Sequence, residues 1–412
     1  MANSFKTSQH TELVALRAAE SAGYLTVGSR KYLKEQLKGK RNGVKYDFVI
    51  SDAGQYQEGI DLSATGPSDL VERKVTKEIF TGNVMIATNI LEKVTDLNWD
   101  KEVAIPNGKK LVNGIVQSVI NDDFGLQNTA FVGIGYGPLN KAGNFLASVS
   151  DEARFAFIDP MINSIVSLTG KAFSGVEGAE PMYKKGLLGE LNGVEYRSQQ
   201  FLPMVSVSKT LGESTASAIT YVDNGDGTAT ITLTGVSTTI PKGFVIWVDG
   251  VYATDLVGDK TSQLKAFVAI EDGTNNGEMK VRAVEFIGEG NKEVCDANGD
   301  ALGATKTAAI TALNAMDKIV LLPEGNYFTG LFRLDGVEEF ESLDTIDASN
   351  ADTEMASNEG LNVFCNRASD VIKGSNVTRW SCSPIAGIVD PRGAALVLVK
   401  DVSDTVNPVS LV

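Results

Sequence analysis

The rest of the chain is arranged around the stretch Pro106–Phe124, PNGKKLVNGIVQSVINDDF. Apolar pairs recur at every fourth residue from Leu111 to Ile120, and a polar stripe lies between them: Asn113, Gln117 and Asn121. This spacing predicts a helix with a wide buried face and a narrow exposed one. Pro106 suits the first helical position, where its missing N–H costs nothing. We expect a rod of roughly 27 Å, the longest helix of the chain.

Composition and charge narrow the functional classes. The chain has 412 residues, 43% of them hydrophobic, and a formal net charge of −15. Such an acidic surface does not bind phosphate backbones non-specifically, and it repels copies of itself. The single histidine, His10, excludes histidine-based triads and multi-histidine metal sites. We therefore expect no enzyme, no catalytic residue, no metal and no cofactor.

The spacing of the cysteines and the length of the apolar runs indicate the cellular compartment of the chain. Cys295, Cys365 and Cys382 have neither disulfide-scaffold nor metal-ligand spacing, which favours plain thiols in a reducing compartment. No run of eighteen apolar residues predicts a membrane span, and the first residues lack the apolar segment of a secretory signal.

Residues 1–42 are interpreted as an N-terminal arm. Thr11 is a candidate cap for a short helix, and Ser29 for a second one. The charge then reverses in a basic stretch: Arg30, Lys31, Lys34, Lys38, Lys40 and Arg41. Such a stretch indicates contact with an acidic partner or nucleic acid, or else a solvated helix face.

Residues 43–80 alternate as two strands with charged outer faces. The pattern predicts a long hairpin poor in core residues, which would not be stable alone in water. We expect it to lie on another surface. Farther along, Thr129–Val132 predicts a buried strand, and Leu139–Val149 a helix after a glycine-rich turn. That turn departs from the dinucleotide fingerprint because Pro138 stands where glycine is needed.

Residues 206–322 change character: serine, threonine and glycine rise, helix signals vanish, and short alternating strands follow at roughly ten-residue spacing. The pattern is typical of a small β-barrel or sandwich inserted into the surrounding domain. Asp223–Gly227 and Asp296–Asp300 have acidic residues at intervals that suggest calcium loops. The second lacks the glycine and glutamate of an EF-hand, so surface turns are the preferred interpretation of both. Residues 323–412 return to a mixed α/β pattern and have a distinctive end: Asp390-Pro391-Arg392-Gly393, followed by the apolar strand Ala394–Val399.

Together these segments resemble the major capsid proteins of tailed phages, and most closely the P-twenty-two-type podovirus coat family. The resemblance covers most of the chain and rests on three pieces: residues 57–62 (QEGIDL), the run from Gly193 to Pro203, and the pattern Gly360-Leu361…Asp370…Arg379. It implies an α+β chain with the HK-ninety-seven-type capsid fold. The implied domains are an N-terminal arm (1–42), an E-loop (43–80), a P-domain with spine helix and the first part of the A-domain (81–205), an inserted β-barrel (206–322), and the remainder of both domains (323–412).

The resemblance also implies function and partners. The chain would form pentamers and hexamers of an icosahedral head around double-stranded DNA, assembled in the host cytoplasm and found in the virion capsid. Scaffolding and portal proteins are implied partners, decoration protein is a further candidate, DNA contact is weak and non-specific, and no membrane is involved. The implied inter-subunit contact residues are those of the E-loop: Gln57, Glu58, Gly59 and Asp61.

Several alternatives stay open at this point. Glu58 and Asp61 are either members of inter-subunit ion pairs or turn-stabilising carboxylates, and Asp370 and Arg379 are either a P-domain ion pair or surface charges. The basic stretch faces the scaffold or the genome, if it has a partner. The alternative function is a secreted adhesin or surface-layer protein whose β-barrel binds a ligand. An enzyme that uses the loop Gly133–Gly137 as a phosphate site is the third hypothesis.

Overall fold

The computed structural model describes residues 7–30, 45–51, 72–78, 80–89, 103, 105–165, 187–288, 290–342, 353–370 and 375–401. In these residues no helix is both long and apolar enough to cross a membrane. The named helices are α1 (Thr7–Ser21), α2 (Gly23–Thr26), α3 (Ile105–Asp123), α4 (Gly137–Val149), α5 (Lys209–Gly212) and α6 (Lys306–Asn314).

The strands are numbered in chain order. Those before residue 210 are β1 (Ser29–Arg30), β2 (Lys45–Ser51), β3 (Glu72–Glu78), β4 (Gly82–Asn89), β5 (Thr129–Gly133), β6 (Arg154–Ile158), β7 (Leu187–Leu191), β8 (Val194–Ser198) and β9 (Val205–Val207). The next group is β10 (Ala218–Asp223), β11 (Thr228–Thr234), β12 (Val245–Thr254), β13 (Lys260–Val268), β14 (Glu278–Arg282), β15 (Val294–Cys295) and β16 (Ile319–Leu321). The last are β17 (Gly325–Leu334), β18 (Glu338–Ser342), β19 (Thr353–Asn358), β20 (Leu361–Asp370), β21 (Ser375–Cys382), β22 (Pro384–Ile388) and β23 (Ala394–Lys400).

The chain divides into two compact units. The first comprises residues 1–46, 77–120 and 338–387, and the second comprises 47–76, 121–337 and 388–412. The first unit contains an antiparallel sheet in the order β19-β20-β21-β4 and a small sheet in the order β1-β18-β22. The predicted domain boundaries stay predictions.

The first unit is built on α3. The apolar pairs from Leu111 to Ile120 are all buried, at 0–3% exposure, so the predicted spine helix and its buried face are confirmed. Two glycines allow the neighbouring elements to approach it closely. A Cβ at Gly82, where β4 starts, would lie 2.5 Å from the carbonyl oxygen of Leu111, and one at Gly108 would lie 2.7 Å from that of Val14 in α1. Helix α1 also packs against β19 and β20.

The second unit is built on a seven-stranded sheet in the order β5-β23-β17-β6-β8-β7, with β9 paired to β17. Its pairs are antiparallel except β5 with β23 and β6 with β8, which run parallel. Helix α4 packs against β5, β17 and β23. Its buried side chains, among them Phe145 and Leu146, join Phe332 and Val397 in one apolar cluster, which we call the apolar layer. The predicted strand at Thr129–Val132 and helix at Leu139–Val149 are both confirmed.

Residues 218–321, here called the β-segment, contribute no strand to this seven-stranded sheet, which resumes at β17. They form one sheet in the order β10-β11-β14 and another in the order β13-β12-β15, with β16 also paired to β12. The short alternating strands expected in this region are confirmed. Closure into a barrel stays a prediction.

Three expectations were wrong in detail. Helix signals do not vanish from 206–322, because α6 begins there at an N-cap, with the Thr305 hydroxyl accepting a hydrogen bond from the backbone N–H of Ala308. Thr11 does not begin its helix: α1 starts at Thr7, and Thr11 is buried within it. Between residues 323 and 401, the described part contains strands and a single 3-10 turn and no α-helix, so the mixed α/β interpretation fails for that described part.

Candidate functional site

Most residues that the sequence singles out for assembly lie outside the described part of the chain. Gln57, Glu58, Gly59 and Asp61 belong to the connection between β2 and β3, which pair as a two-stranded sheet. The predicted hairpin strands are therefore confirmed, whereas the contact role of their connection stays a prediction.

The basic stretch is described only at its start. Arg30 ends β1, which runs parallel to β18, with Arg30 opposite Glu339 in the register. The other basic residues lie outside the described residues: Lys31, Lys34, Lys38, Lys40 and Arg41. The helix expected after Ser29 lies there too, and contact with scaffold or genome stays a prediction.

Arg379 and Asp370 lie on neighbouring strands of the first unit. The register places Arg379 opposite Asn366 and Asp370 opposite Ser375, four positions farther along. The exposed Arg379 guanidinium donates two hydrogen bonds to Asn83 Oδ1, at 3.0 Å from Nε and 2.5 Å from Nη2. Asn83 on β4 is thus the partner that the structure gives Arg379, and the ion pair with Asp370 stays a prediction.

The two acidic loops are turns whose carboxylates bind their own backbone. Asp223 Oδ1 accepts from the Gly225 N–H at 2.8 Å, and the chain reverses between β10 and β11. Asp296 Oδ1 accepts from the N–H groups of Asn298 and Asp300, at 2.8 and 3.0 Å. These bonds support the interpretation of both loops as surface turns. In the described residues no group of three or more His, Cys, Asp or Glu side chains is placed to hold a metal ion.

The glycine-rich loop after β5 is a turn into α4. Gly135 has a φ of +69°, which favours glycine, and Pro138 lies in the first turn of the helix. A Cβ at Gly133 would lie 2.9 Å from Pro138 Cγ. Proline thus fills the space beside Gly133 in this loop.

A buried polar cluster in the second unit was not foreseen as a site. Arg392, 3% exposed, stands in the turn Pro391–Gly393 that precedes β23. Its Nε and Nη2 donate to the two carboxylate oxygens of Asp390, at 2.9 and 2.7 Å, and its Nη1 donates to the carbonyl of Gly290. Such a bidentate arginine–carboxylate pair is strong and directional.

Asn128 extends this cluster toward β5 and β12. Its Nδ2 donates to the carbonyls of Arg392 and Thr254, at 2.9 and 2.7 Å, and the Thr254 hydroxyl donates to the carbonyl of Lys292 at 2.5 Å. One asparagine therefore links the start of the seven-stranded sheet to the last residue of β12 and to the turn before β23.

A second buried ion pair completes the cluster. Lys265 Nζ lies 3.3 Å from Glu293 Oε2, and both side chains are 3% exposed. Lys265 Nζ also donates to the carbonyl of Gln127 at 3.4 Å. We call the whole set the polar joint: Asn128, Thr254, Lys265, Glu293, Asp390 and Arg392. It ties the β-segment to the strands β5 and β23.

Electrostatics hold Arg392 in its charged form. Burial alone would lower the pKa of the Arg392 guanidinium. The hydrogen bond and charge of Asp390, with the charges of Glu293 and Asp255, outweigh burial and raise that pKa. The joint is thus built from ion pairs and amide hydrogen bonds, and none of its residues is a nucleophile positioned by a base.

Sequence reasoning noted Asp390-Pro391-Arg392-Gly393 only as a distinctive ending. The available signal was an arginine directly before the apolar strand Ala394–Val399, since a charge beside a buried strand needs a partner. The partner groups themselves are up to 264 residues away in the chain, which a local pattern does not identify.

Comparisons with known proteins give structural likenesses at low similarity. No family model and no curated protein matches the chain. A structure from Mycobacterium phage Che8 aligns with a TM-score of 0.42 at 8% identity, covering 90% of this chain and 89% of that one. The capsid of a native GTA particle aligns at 0.42 and 7%, covering 88% and 86%. The head of Helicobacter pylori bacteriophage KHP40 aligns at 0.41 and 8%, covering 91% and 88%. TM-scores this low assign no family to the chain.

Proposed function

We propose that the chain is the major capsid subunit of a tailed phage, with the HK-ninety-seven-type fold of the P-twenty-two-type coat family. In this proposal it assembles into pentamers and hexamers of an icosahedral head that encloses double-stranded DNA. Its role is structural rather than catalytic. Assembly takes place in the host cytoplasm with a scaffolding and a portal protein, and the product is the virion capsid, to which a decoration protein is a further candidate partner.

The observation that carries the proposal is the order of elements around α3. Two paired strands precede the helix, and the segment between them, residues 52–71, has four carboxylates and no lysine or arginine. A two-stranded hairpin of this kind is not stable alone in water. A neighbouring copy of the chain supplies the surface it needs, which makes Gln57, Glu58, Gly59 and Asp61 the proposed inter-subunit contacts.

The charge balance supports a container. At a net charge of −15 the subunits repel one another, so that uncontrolled association is slow, and the wall does not hold packaged DNA. The basic stretch from Arg30 to Arg41 is the proposed exception and faces the scaffold or the genome.

The test is to express the chain together with its neighbouring open reading frames and to separate the products on a density gradient. We expect shells or capsomers from the wild type. The double variant Glu58→Lys, Asp61→Lys should leave the circular dichroism spectrum and the thermal midpoint unchanged while it abolishes rapidly sedimenting particles. Particles formed as efficiently by this variant would remove the proposed contact.

The basic stretch is tested separately by Lys34→Glu with Lys38→Glu. We expect less scaffold in the assembled particles and more unassembled subunit. Unchanged scaffold content and yield would show that these lysines form only a solvated face.

A further inference from the structure

We propose that a single water molecule is bound inside the second unit, in a cavity beside the polar joint, as a fixed part of the fold. The cavity has a volume of about 20 Å³, and its lining combines the polar residues Gln127, Lys265, Arg282 and Glu293 with apolar residues such as Phe267 and Val281. About 10–15 Å³ of such space holds one water. The cavity therefore accepts one water and excludes an organic ligand.

The strongest argument for an occupant is an acceptor that lacks a partner. Gln127 is 2% exposed, and its Nε2 donates to the carbonyl of Asp123 at 2.7 Å, which fixes the orientation of the amide. The opposite atom, Oε1, is buried and has no hydrogen-bond partner within the described residues. Because a buried acceptor without a donor is costly, Gln127 needs a donor that the described residues do not supply.

The charges of the lining select the kind of occupant. The Lys265 ammonium disfavours a cation in the cavity, and the Glu293 carboxylate disfavours an anion. The other cation of the lining, Arg282, is paired with Asp122. A neutral molecule that both donates and accepts suits this lining. Water donates to Gln127 Oε1 and is held in the field of the buried ion pair.

The bound water adds a link to the joint. Lys265 already donates to the carbonyl of Gln127, so β13 and the segment before β5 are in direct contact at this point. The water lies between the Gln127 side chain and the cavity wall that contains Lys265, and so adds a second link between these two segments. This inference is independent of the proposed function, because it concerns the hydration of the fold.

Oxygen-17 magnetic relaxation dispersion tests this proposal. The method counts water molecules whose residence time is longer than the rotational correlation time of the protein. The variant is Gln127→Met, which keeps the length of the side chain and removes the acceptor. The matched control is Gln263→Met in β13, at a glutamine that does not line the cavity. We expect the Gln127→Met variant to lose one long-lived water relative to the wild type and the control to lose none.

An equal count in the wild type and the Gln127→Met variant would overturn the proposal. A second measurement needs no variant: a crystallographic map of the wild type at a resolution that shows ordered waters. We expect a peak within hydrogen-bond distance of Gln127 Oε1, and an empty cavity there would overturn the proposal as well.

Discussion

The apolar layer under α4 and the polar joint lie in the same unit and are both buried, but they are held together by different forces. In the layer, Phe145, Leu146, Phe332 and Val397 pack without directional bonds. In the joint, Arg392 and its partners are oriented by hydrogen bonds of defined geometry. Apolar burial scales with area and tolerates a change of shape, whereas a buried charge tolerates no loss of its partner. The two regions should therefore differ most under substitutions that keep volume.

The largest effect is expected from Arg392→Met. The variant keeps the length of the side chain but removes the guanidinium that donates to Asp390 and to the Gly290 carbonyl, and breaking a buried pair costs about 3–5 kcal/mol. The control is Arg197→Met, whose pair with Glu195 is about 30% exposed on both sides and contributes about 1 kcal/mol or less. Urea denaturation measures both free energies of unfolding. Equal losses would mean that the joint behaves like a surface ion pair.

The second prediction concerns the pair Lys265–Glu293. Lys265→Met leaves a carboxylate buried without its ammonium, and we expect a loss of about 3 kcal/mol. Adding Glu293→Gln removes the buried carboxylate charge, so the double variant should be more stable than the Lys265→Met single variant. A double-mutant cycle in urea gives the coupling, and strict additivity would argue against a direct interaction.

The apolar layer provides the contrasting case. Leu146→Met changes the shape of a fully buried side chain at nearly constant volume, for which the expected loss is below about 1.5 kcal/mol. The same denaturation measurement applies. A loss as large as that of Arg392→Met would show that the layer is as geometrically demanding as the joint.

A smaller effect is expected at the cap of α6. Thr305→Ala removes the hydroxyl that accepts from the Ala308 N–H and should cost about 1 kcal/mol. Thr307→Ala, two residues later in the first turn, is the matched control and should be neutral or slightly stabilising, because alanine has the higher helix propensity. A loss at position 307 equal to that at 305 would contradict the capping role.

The smallest effect is expected at Asp223 and depends on pH. Burial raises the pKa of this carboxyl, but the hydrogen bond and charge of Lys306 and the Gly225 N–H outweigh burial and lower it. A lowered folded pKa stabilises the fold above the unfolded value of about 3.9, and the stabilisation disappears as the pH falls through the folded value. Asp223→Asn should therefore reduce the thermal midpoint at pH 7 and match the wild type in strong acid. A difference independent of pH would assign the effect to the turn rather than to the charge.

The elements that the sequence predicted well are those with a local signal. The apolar pairs from Leu111 to Ile120 predicted α3 and its buried face, and Asp226-Gly227 predicted the turn between β10 and β11. The run Ala394–Val399 predicted β23. In each case the physical cause lies within a few neighbouring residues, so the local sequence pattern is sufficient to predict the element.

The rest depends on distant partners or weak signals. Helix α6, KTAAITALN, was missed because small and β-branched residues make its amphipathic pattern faint. The joint was missed because Asn128, Lys265 and Arg392 come from far-apart segments that meet only in the folded chain. The assembly contacts at Gln57–Asp61 and in the basic stretch stay predictions, since they concern surfaces offered to other molecules.

Cryo-electron microscopy of the purified chain, alone and with a candidate scaffolding protein, shows whether the chain builds a capsid. We expect closed shells or capsomer rings, with pentamers and hexamers on an icosahedral lattice and residues 52–71 lying against a neighbouring subunit. A uniform monomer that never assembles, even with the scaffold present, would contradict it.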